Sequence, residues 1–182
     1  MMSLSTGVAM AVPVRAAEYF EPRWYAVYTC CRHEKQVAAQ FASREIEHYL
    51  PVYESVHRWK NGRALVQLPL FPGYVFVRIA LRDRVRVLQV PSVVSLVGAS
   101  GMASPLSDDE VELIRRGICG GLRVEPHPYL KAGRRVRVRR GPLAGSEGIL
   151  VRKKGTLRLV IALDLIMRAM AVEVDAEDVE PA

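Results

Sequence analysis

The segment from Cys119 to Lys131 constrains the fold of this chain more than any other feature. It contains two glycines and two prolines and shows little periodicity. Such a composition is typical of a linker between independently folding units. We therefore expect a disordered N-terminal extension at residues 1–22, a first domain at 23–118, a linker at 119–130 and a second domain at 131–182.

The pattern before this segment predicts an α+β domain. Short runs rich in aromatic and β-branched residues favour strands, and Asn61-Gly62 between two such runs is a strong signal for a tight hairpin turn. Ser107 and Glu110 have the spacing of a capping box, which predicts a short helix that ends before Gly117. The predicted elements are strands at 24–28, 52–59, 63–69 and 74–79, with Lys60-Asn61-Gly62 as the turn, and helices at His33–Glu47 and Ser107–Arg116.

The pattern after the segment predicts an all-β domain. Arginine and valine alternate strictly from Arg135 to Arg139, and apolar residues alternate again from Leu157 to Leu163 and from Met170 to Val174. Turns are expected at Gly141-Pro142 and at Lys154-Gly155. Several short strands in about fifty residues indicate a small β-barrel.

Composition limits the compartment and the kind of partner. The net charge of +7 and the pI of about 9.6 favour a partner with a negative surface, but they do not distinguish nucleic acid from a ribonucleoprotein or an anionic membrane. The three cysteines form no disulfide pattern, which fits a reducing cytoplasm. We expect no signal peptide, because Pro13 and Arg15 interrupt the mildly apolar start and no basic residues precede a sustained hydrophobic run. We expect no membrane span, because no apolar run approaches the roughly 20 residues that a spanning helix needs.

The sequence lacks the motifs of an enzyme or a metal site. Its four histidines are scattered without ligand spacing, and no Walker loop, GxGxxG or GxSxG is present. The acidic residues near Asp108 fit a helix N-terminus, and those near Asp175 lie close to the C-terminal end. We therefore expect a non-catalytic protein without a metal or another cofactor.

One predicted strand places aromatic residues on the face opposite its aliphatic residues. In Leu70-Phe71-Pro72-Gly73-Tyr74-Val75-Phe76-Val77, the alternation puts Tyr74 and Phe76 on the same side, with Phe71 nearby and Tyr28 on another strand. Several aromatic side chains on one face of a sheet are normally shielded from water by other residues or by a partner. Either a helix of the same domain covers it, or it is an exposed docking surface.

Two signatures together resemble the NusG family of transcription factors. WYAVYT, LFPGYVFV and PSVVSLVG resemble the N-terminal NGN domain of that family, and KAGRRVRVRRGPLAGSEGILV is similar to a KOW motif. The resemblance covers about Arg23 to Glu180. It implies an NGN-type α/β sandwich with an antiparallel sheet, followed by an SH3-like KOW β-barrel. It also implies that the protein acts as a monomer on RNA polymerase.

The resemblance assigns roles to residues of the first domain. It implies that Tyr28, Phe71, Tyr74 and Phe76 bind the clamp helices of RNA polymerase. It implies that Arg84 and Arg86 face the second polymerase jaw or DNA. Arg32, His33 and Lys35 are candidates for contact with the non-template DNA strand, although a solvated helix end is an equally good explanation.

The second domain offers two further candidate surfaces. Arg135, Arg137 and Arg139 form an outward row that either binds DNA or nascent RNA or is simply solvated. In NusG proteins a Phe-Gly-Arg tip contacts Rho or a ribosomal protein, whereas this chain has Leu165, Ile166, Met167 and Arg168 there.

The altered tip resembles specialised paralogues of the UpxY, LoaP or RfaH kind more than housekeeping NusG. The resemblance therefore implies a factor that suppresses pausing or termination in particular operons, with contact to a ribosome through the KOW domain left open and contact to Rho not expected. The alternatives are a housekeeping NusG that couples polymerase to Rho or the ribosome, and a KOW-type protein that binds RNA or the ribosome without polymerase.

Overall fold

The computed structural model describes residues 19–59, 62–99, 101–153 and 155–182. Most of the predicted N-terminal extension lies outside these ranges, as do Lys60 and Asn61 of the predicted hairpin turn and Lys154 of the predicted Lys154-Gly155 turn. The described residues form two sheet-based domains that pack against each other.

The first domain is built on an antiparallel sheet with β1 at its centre. β1 pairs with β5 on one side, and on its other side it pairs with β6 and, further along, with β9. β3 and β4 form a separate two-stranded hairpin, in register from Val52 opposite Pro69 to Trp59 opposite Gly62. The strands are β1 (Arg23–Thr29), β2 (His48–Tyr49), β3 (Val52–Trp59), β4 (Gly62–Pro69), β5 (Tyr74–Ile79), β6 (Val93–Leu96), β7 (Gly98–Ala99), β8 (Met102–Ala103) and β9 (Pro105–Leu106).

The first helix, α1 (Glu34–Ser43), is shorter than the predicted span of His33–Glu47. It ends at a left-handed residue, Glu45 (φ 55°), and the Ile46 amide donates to the Phe41 carbonyl at 2.9 Å. In this Schellman-type ending, the apolar residue after the left-handed position packs back onto the helix. Ile46 is buried in the same cluster as Phe41, so its burial fixes the end of the helix before the predicted end at Glu47.

Two further helices follow, α2 (Arg84–Leu88) and α3 (Asp108–Cys119). The predicted capping box of α3 is confirmed, because the Glu110 amide donates to Ser107 Oγ at 3.2 Å and the Ser107 amide donates to Glu110 Oε2 at 2.9 Å. The predicted end of this helix is wrong, since α3 continues through Gly117 to Cys119.

β5 separates two hydrophobic clusters, as its alternation predicted. Its aliphatic side chains pack toward α1 with Phe41, whereas Phe76 and Tyr74 belong to the opposite face. On that face α3 contributes Val111 and Ile114, so a helix of the same domain covers part of the aromatic side.

The second domain is a six-stranded antiparallel sheet in the order β10-β14-β13-β12-β11-β15. The alternation predicted in its first long strand is confirmed, with Val136 and Val138 buried and the arginines exposed. Its strands are β10 (Val124–His127), β11 (Arg134–Val138), β12 (Glu147–Lys153), β13 (Thr156–Leu163), β14 (Arg168–Val174) and β15 (Val179–Pro181).

The segment expected to be a linker contributes to this sheet. β10 lies within residues 119–130 and pairs with β14 from Val124 opposite Val172 to His127 opposite Ala169. The two prolines did not exclude a strand here, because β10 is at the edge of the sheet, where a missing donor is tolerated.

The hydrophobic cluster on the aromatic face continues from the first domain into the second. Gly117 marks the place where the two domains approach closely. A Cβ built on Gly117 would lie 3.7 Å from Met170 Cε, 3.8 Å from Leu143 Cδ2 and 3.9 Å from Val124 Cγ2. We name this continuous set the shared cluster; its buried members are Trp24, Ala26, Leu70, Phe71, Phe76, Leu106, Val111, Ile114, Val124, Val136, Val138, Leu143, Leu159, Ile161, Leu163, Ile166, Met170 and Val172.

Candidate functional site

The four aromatic residues singled out in the sequence lie together, but at two depths. Tyr28 is 44% exposed and Tyr74 is half-buried, and their ring centroids are 5.5 Å apart. Phe71 and Phe76 are buried in the shared cluster and meet edge to face at 6.0 Å. The surface therefore presents two tyrosines, here called the tyrosine pair, above two buried phenylalanines.

A tight turn between β4 and β5 places this pair. Gly73 has a left-handed backbone (φ 86°), and its carbonyl accepts a hydrogen bond from the Thr29 amide at 2.8 Å. A Cβ at Gly73 would lie 3.3 Å from Cε2 of Tyr28, so the tyrosine ring rests against the glycine backbone. Glycine is needed here both for its positive φ and for this close approach.

An aromatic and guanidinium stack next to Phe76 was not predicted from the sequence. Tyr49 stacks on Phe76 at 6.5 Å, and the Arg115 guanidinium lies 4.9 Å from the Tyr49 ring and 5.2 Å from the Trp24 ring. Burial raises the pKa of Tyr49 to about 12. No sequence pattern pointed to this stack, because its members come from four elements that are distant along the chain, β1, β2, β5 and α3.

The tip of the second domain lies at the tyrosine pair. The Arg168 guanidinium is 5.9 Å from the centre of the Tyr74 ring, within the range of a cation–π contact. Ile166 is buried in the shared cluster, and Leu165 packs against it. Met167 is 54% exposed and adopts a left-handed backbone (φ 50°). The structure thus brings together two surfaces that the sequence assigned to different partners.

Arg84 and Arg86 lie on α2. The Arg86 guanidinium donates to the Arg44 carbonyl at 2.9 Å, which ties α2 to the end of α1. Arg84 lines a groove of about 980 Å³ together with apolar side chains that include Leu88 and Met102, both of which are exposed. This groove runs along β6, at the edge of the first sheet.

The three basic candidates at the start of α1 have different environments. Arg32 is exposed in a left-handed conformation (φ 65°). His33 Nδ1 is 2.9 Å from Ser92 Oγ, and Lys35 Nζ donates to the Gln67 carbonyl at 2.7 Å. Lys35 and His33 therefore tie α1 to neighbouring segments, although all three candidates are exposed.

The arginine row, formed by Arg135 and Arg137 of β11 and by Arg139 directly after it, is exposed and contacts acidic residues. Arg137 Nε donates to Glu147 Oε1 at 3.1 Å, and Arg135 is 4.0 Å from the same carboxylate. The hydrogen bond from Arg137 lowers the pKa of Glu147. Arg139 lies 3.4 Å from Glu180. Two carboxylates thus offset part of the positive charge of the row.

Within the described ranges, no group of three or more His, Cys, Asp or Glu residues is placed to hold a metal ion. Over the same residues, no helix is long and apolar enough to cross a membrane.

Comparison with known proteins agrees with these observations. Residues 22–115 match the family model described as "Transcription termination factor nusG". The transcription termination/antitermination protein NusG of Escherichia coli K12 is 29% identical over 174 residues, covering 88% of this chain and 96% of that protein. The protein of the same name from Lactococcus lactis is 28% identical over 176 residues, covering 88% of this chain and 94% of that protein.

The fold agrees as well. A solved structure titled "Domain interaction in Thermotoga maritima NusG" superposes with a TM-score of 0.57 at 22% identity, covering 88% of this chain and 97% of that one. The predicted α+β fold, with an α/β first domain and an antiparallel all-β second domain, is confirmed. NusG-family transcription factors are not enzymes, as we expected for this chain. The chain belongs to the NusG family of transcription termination and antitermination factors.

Proposed function

We propose that this protein binds RNA polymerase through the tyrosine pair and suppresses pausing or termination of transcription. The observation that supports this most is the pair itself, because two tyrosine rings 5.5 Å apart stand at the surface over buried phenylalanines. Aromatic side chains that fill pockets on a partner usually dominate the energy of such interfaces. The pair lies inside the region that matches the family model.

We infer that the packed second domain limits the access of polymerase to this surface. Arg168 lies over Tyr74, and the buried cluster beneath the pair continues into the second domain. A polymerase element that covers Tyr74 would take the place of Arg168. Polymerase binding and domain packing therefore compete, and the affinity of the protein is reduced by the fraction of molecules in the packed form.

The groove on α2 is a second contact in this proposal. Its apolar lining and Arg84 suit a protein segment that carries an apolar side chain next to a carboxylate, which fits the opposite jaw of polymerase better than it fits DNA. Exposed Arg32, two residues before α1, supports a contact with the non-template DNA strand in this proposal.

The tip supports antitermination in particular operons over a housekeeping role. Ile166 and Met167 stand where a Phe-Gly pair would contact Rho or a ribosomal protein, and the chain has no phenylalanine after Phe76. Ile166 is also buried, so the packed form withholds it from any partner. The housekeeping role is a second candidate because the relatives at 29% and 28% identity are named termination/antitermination proteins.

Binding of the full chain to core RNA polymerase tests the proposal. Tyr28→Ala is the sharper variant, because Tyr74→Ala would also remove the ring under Arg168 and so loosen the packed form. We expect Tyr28→Ala to weaken binding by about tenfold, equivalent to roughly 1.4 kcal/mol. Tyr19→Ala, at a tyrosine with similar exposure near the N-terminus, is the matched control. Unchanged affinity for Tyr28→Ala in a folded protein would refute the proposed docking surface.

A further inference from the structure

A buried carboxylate beneath the tyrosine pair has no role in the proposal so far. Glu34 is the first residue of α1, and only 4% of its surface is exposed. Its Oε1 accepts a hydrogen bond from the Gly73 amide at 2.7 Å. Burying a carboxylate is unfavourable unless it is hydrogen-bonded, so this contact accounts for its presence in the interior.

The hydrogen bond joins two segments that are 39 residues apart in sequence. Its acceptor lies on α1 and its donor lies in the turn that leads into β5. The carbonyl of Gly73 is held from the other side by the Thr29 amide at 2.8 Å. Both backbone polar groups of Gly73 are thus fixed, one by α1 and the other by β1.

This arrangement determines where the tyrosine pair stands. The Tyr28 ring rests on Gly73, and Tyr74 follows directly in the chain. A shift of the Gly73 backbone would therefore move both the surface on which the Tyr28 ring rests and the backbone that carries the Tyr74 ring. A short hydrogen bond to a carboxylate holds such a backbone more firmly than a neutral one does.

We propose that Glu34 is the positioning residue of the polymerase-binding surface, acting through the Gly73 amide and not by contact with polymerase. This inference rests on the proposed function of the tyrosine pair. Fixing both rings before binding avoids an ordering step during association, which is the physical source of the expected gain in affinity.

Glu34→Gln in the full chain is the test, because it keeps the size of the side chain and an oxygen acceptor while removing the charge. We expect affinity for core RNA polymerase to fall by about fivefold, the difference between a charged and a neutral hydrogen bond. Glu34→Ala, which removes the acceptor, is expected to have the larger effect. Glu45→Gln, at an exposed glutamate just beyond the other end of α1, is the matched control and leaves affinity unchanged.

Hydrogen exchange measured by NMR separates positioning from a general loss of stability. In Glu34→Gln, we expect the Gly73 amide to exchange faster and the ring signals of Tyr28 and Tyr74 to shift, while amides in the second domain keep their protection. Uniformly faster exchange would make the residue a general stabiliser and overturn the inference. Weaker binding with unchanged Gly73 and tyrosine signals would also overturn it, since Glu34 would then act on polymerase directly.

The two proposals fail in distinguishable ways. If Tyr28→Ala weakens polymerase binding and Glu34→Gln does not, the positioning role is wrong and the docking surface stands. If neither variant weakens binding, the docking surface is wrong. If Glu34→Ala does not fold, Glu34→Gln and Glu34→Asp still test the inference, because Asp keeps the charge but shortens the reach to Gly73 by one methylene.

Discussion

Replacing Gly117 by leucine should separate the two domains. Gly117 lies within α3, and a Cβ at this position would meet side-chain atoms of Met170, Leu143 and Val124 at 3.7–3.9 Å. These are ordinary contact distances, so alanine fits. The three further carbon atoms of leucine would extend toward these three side chains, so we expect the second domain to move away from α3.

The expected magnitude follows from this geometry. Inserting extra carbon atoms into a well-packed interface costs about 1–3 kcal/mol. That energy shifts the balance between packed and separated domains by roughly 5–150-fold. The helix itself should remain, because leucine and alanine both have a higher helix propensity than glycine, alanine by about 1 kcal/mol. Gly117→Ala is therefore the matched control, and it should be slightly more stable than the parent protein.

Two measurements check this prediction. Relaxation of the backbone amides should show each domain of Gly117→Leu tumbling faster than in the parent protein and in Gly117→Ala. Affinity for core RNA polymerase should rise, because more molecules expose Tyr74. A folded Gly117→Leu protein whose domains still tumble together would refute the packing argument. Separated domains with unchanged affinity would refute the competition between domain packing and polymerase.

Three other predictions follow from the same structure. The exposed arginine row should bind single-stranded RNA with an affinity that falls steeply as the salt concentration rises, and Glu147→Gln should strengthen that binding by freeing Arg137. An affinity that does not change with salt would mean that the row is only a solvated face. The free energy of unfolding should fall as pH rises from about 10 to 12, because the pKa of Tyr49 is raised to about 12 in the folded protein and ionisation then opposes folding. Tyr49→Phe should reduce that fall, and the same dependence of stability on pH in both proteins would contradict the raised pKa of Tyr49. In transcription through a Rho-dependent terminator, the protein should increase readthrough, because Ile166 and Met167 replace the expected Phe-Gly pair, whereas more termination would favour the housekeeping role.

Local patterns in the sequence were sufficient for much of the fold. Strict alternation placed Val136 and Val138 inside and the arginines between them outside, because side chains of a strand point to opposite faces in turn. The capping box at Ser107 and Glu110 is likewise a local device, since both of its hydrogen bonds join residues three apart. The grouping of the aromatic residues also followed from alternation and family resemblance.

Tertiary contacts decided the rest. A glycine near the end of a helical pattern usually stops the helix, but α3 continues through Gly117, which is buried where the helix packs against Met170 and Leu143 of the second domain. Nothing local indicates that Arg168 lies over Tyr74, or that Glu34 is buried against Gly73, since each contact joins segments far apart in the chain. The sequence pattern determines which face of a helix or strand is apolar, whereas the shapes of the folded surfaces determine which residues that face contacts.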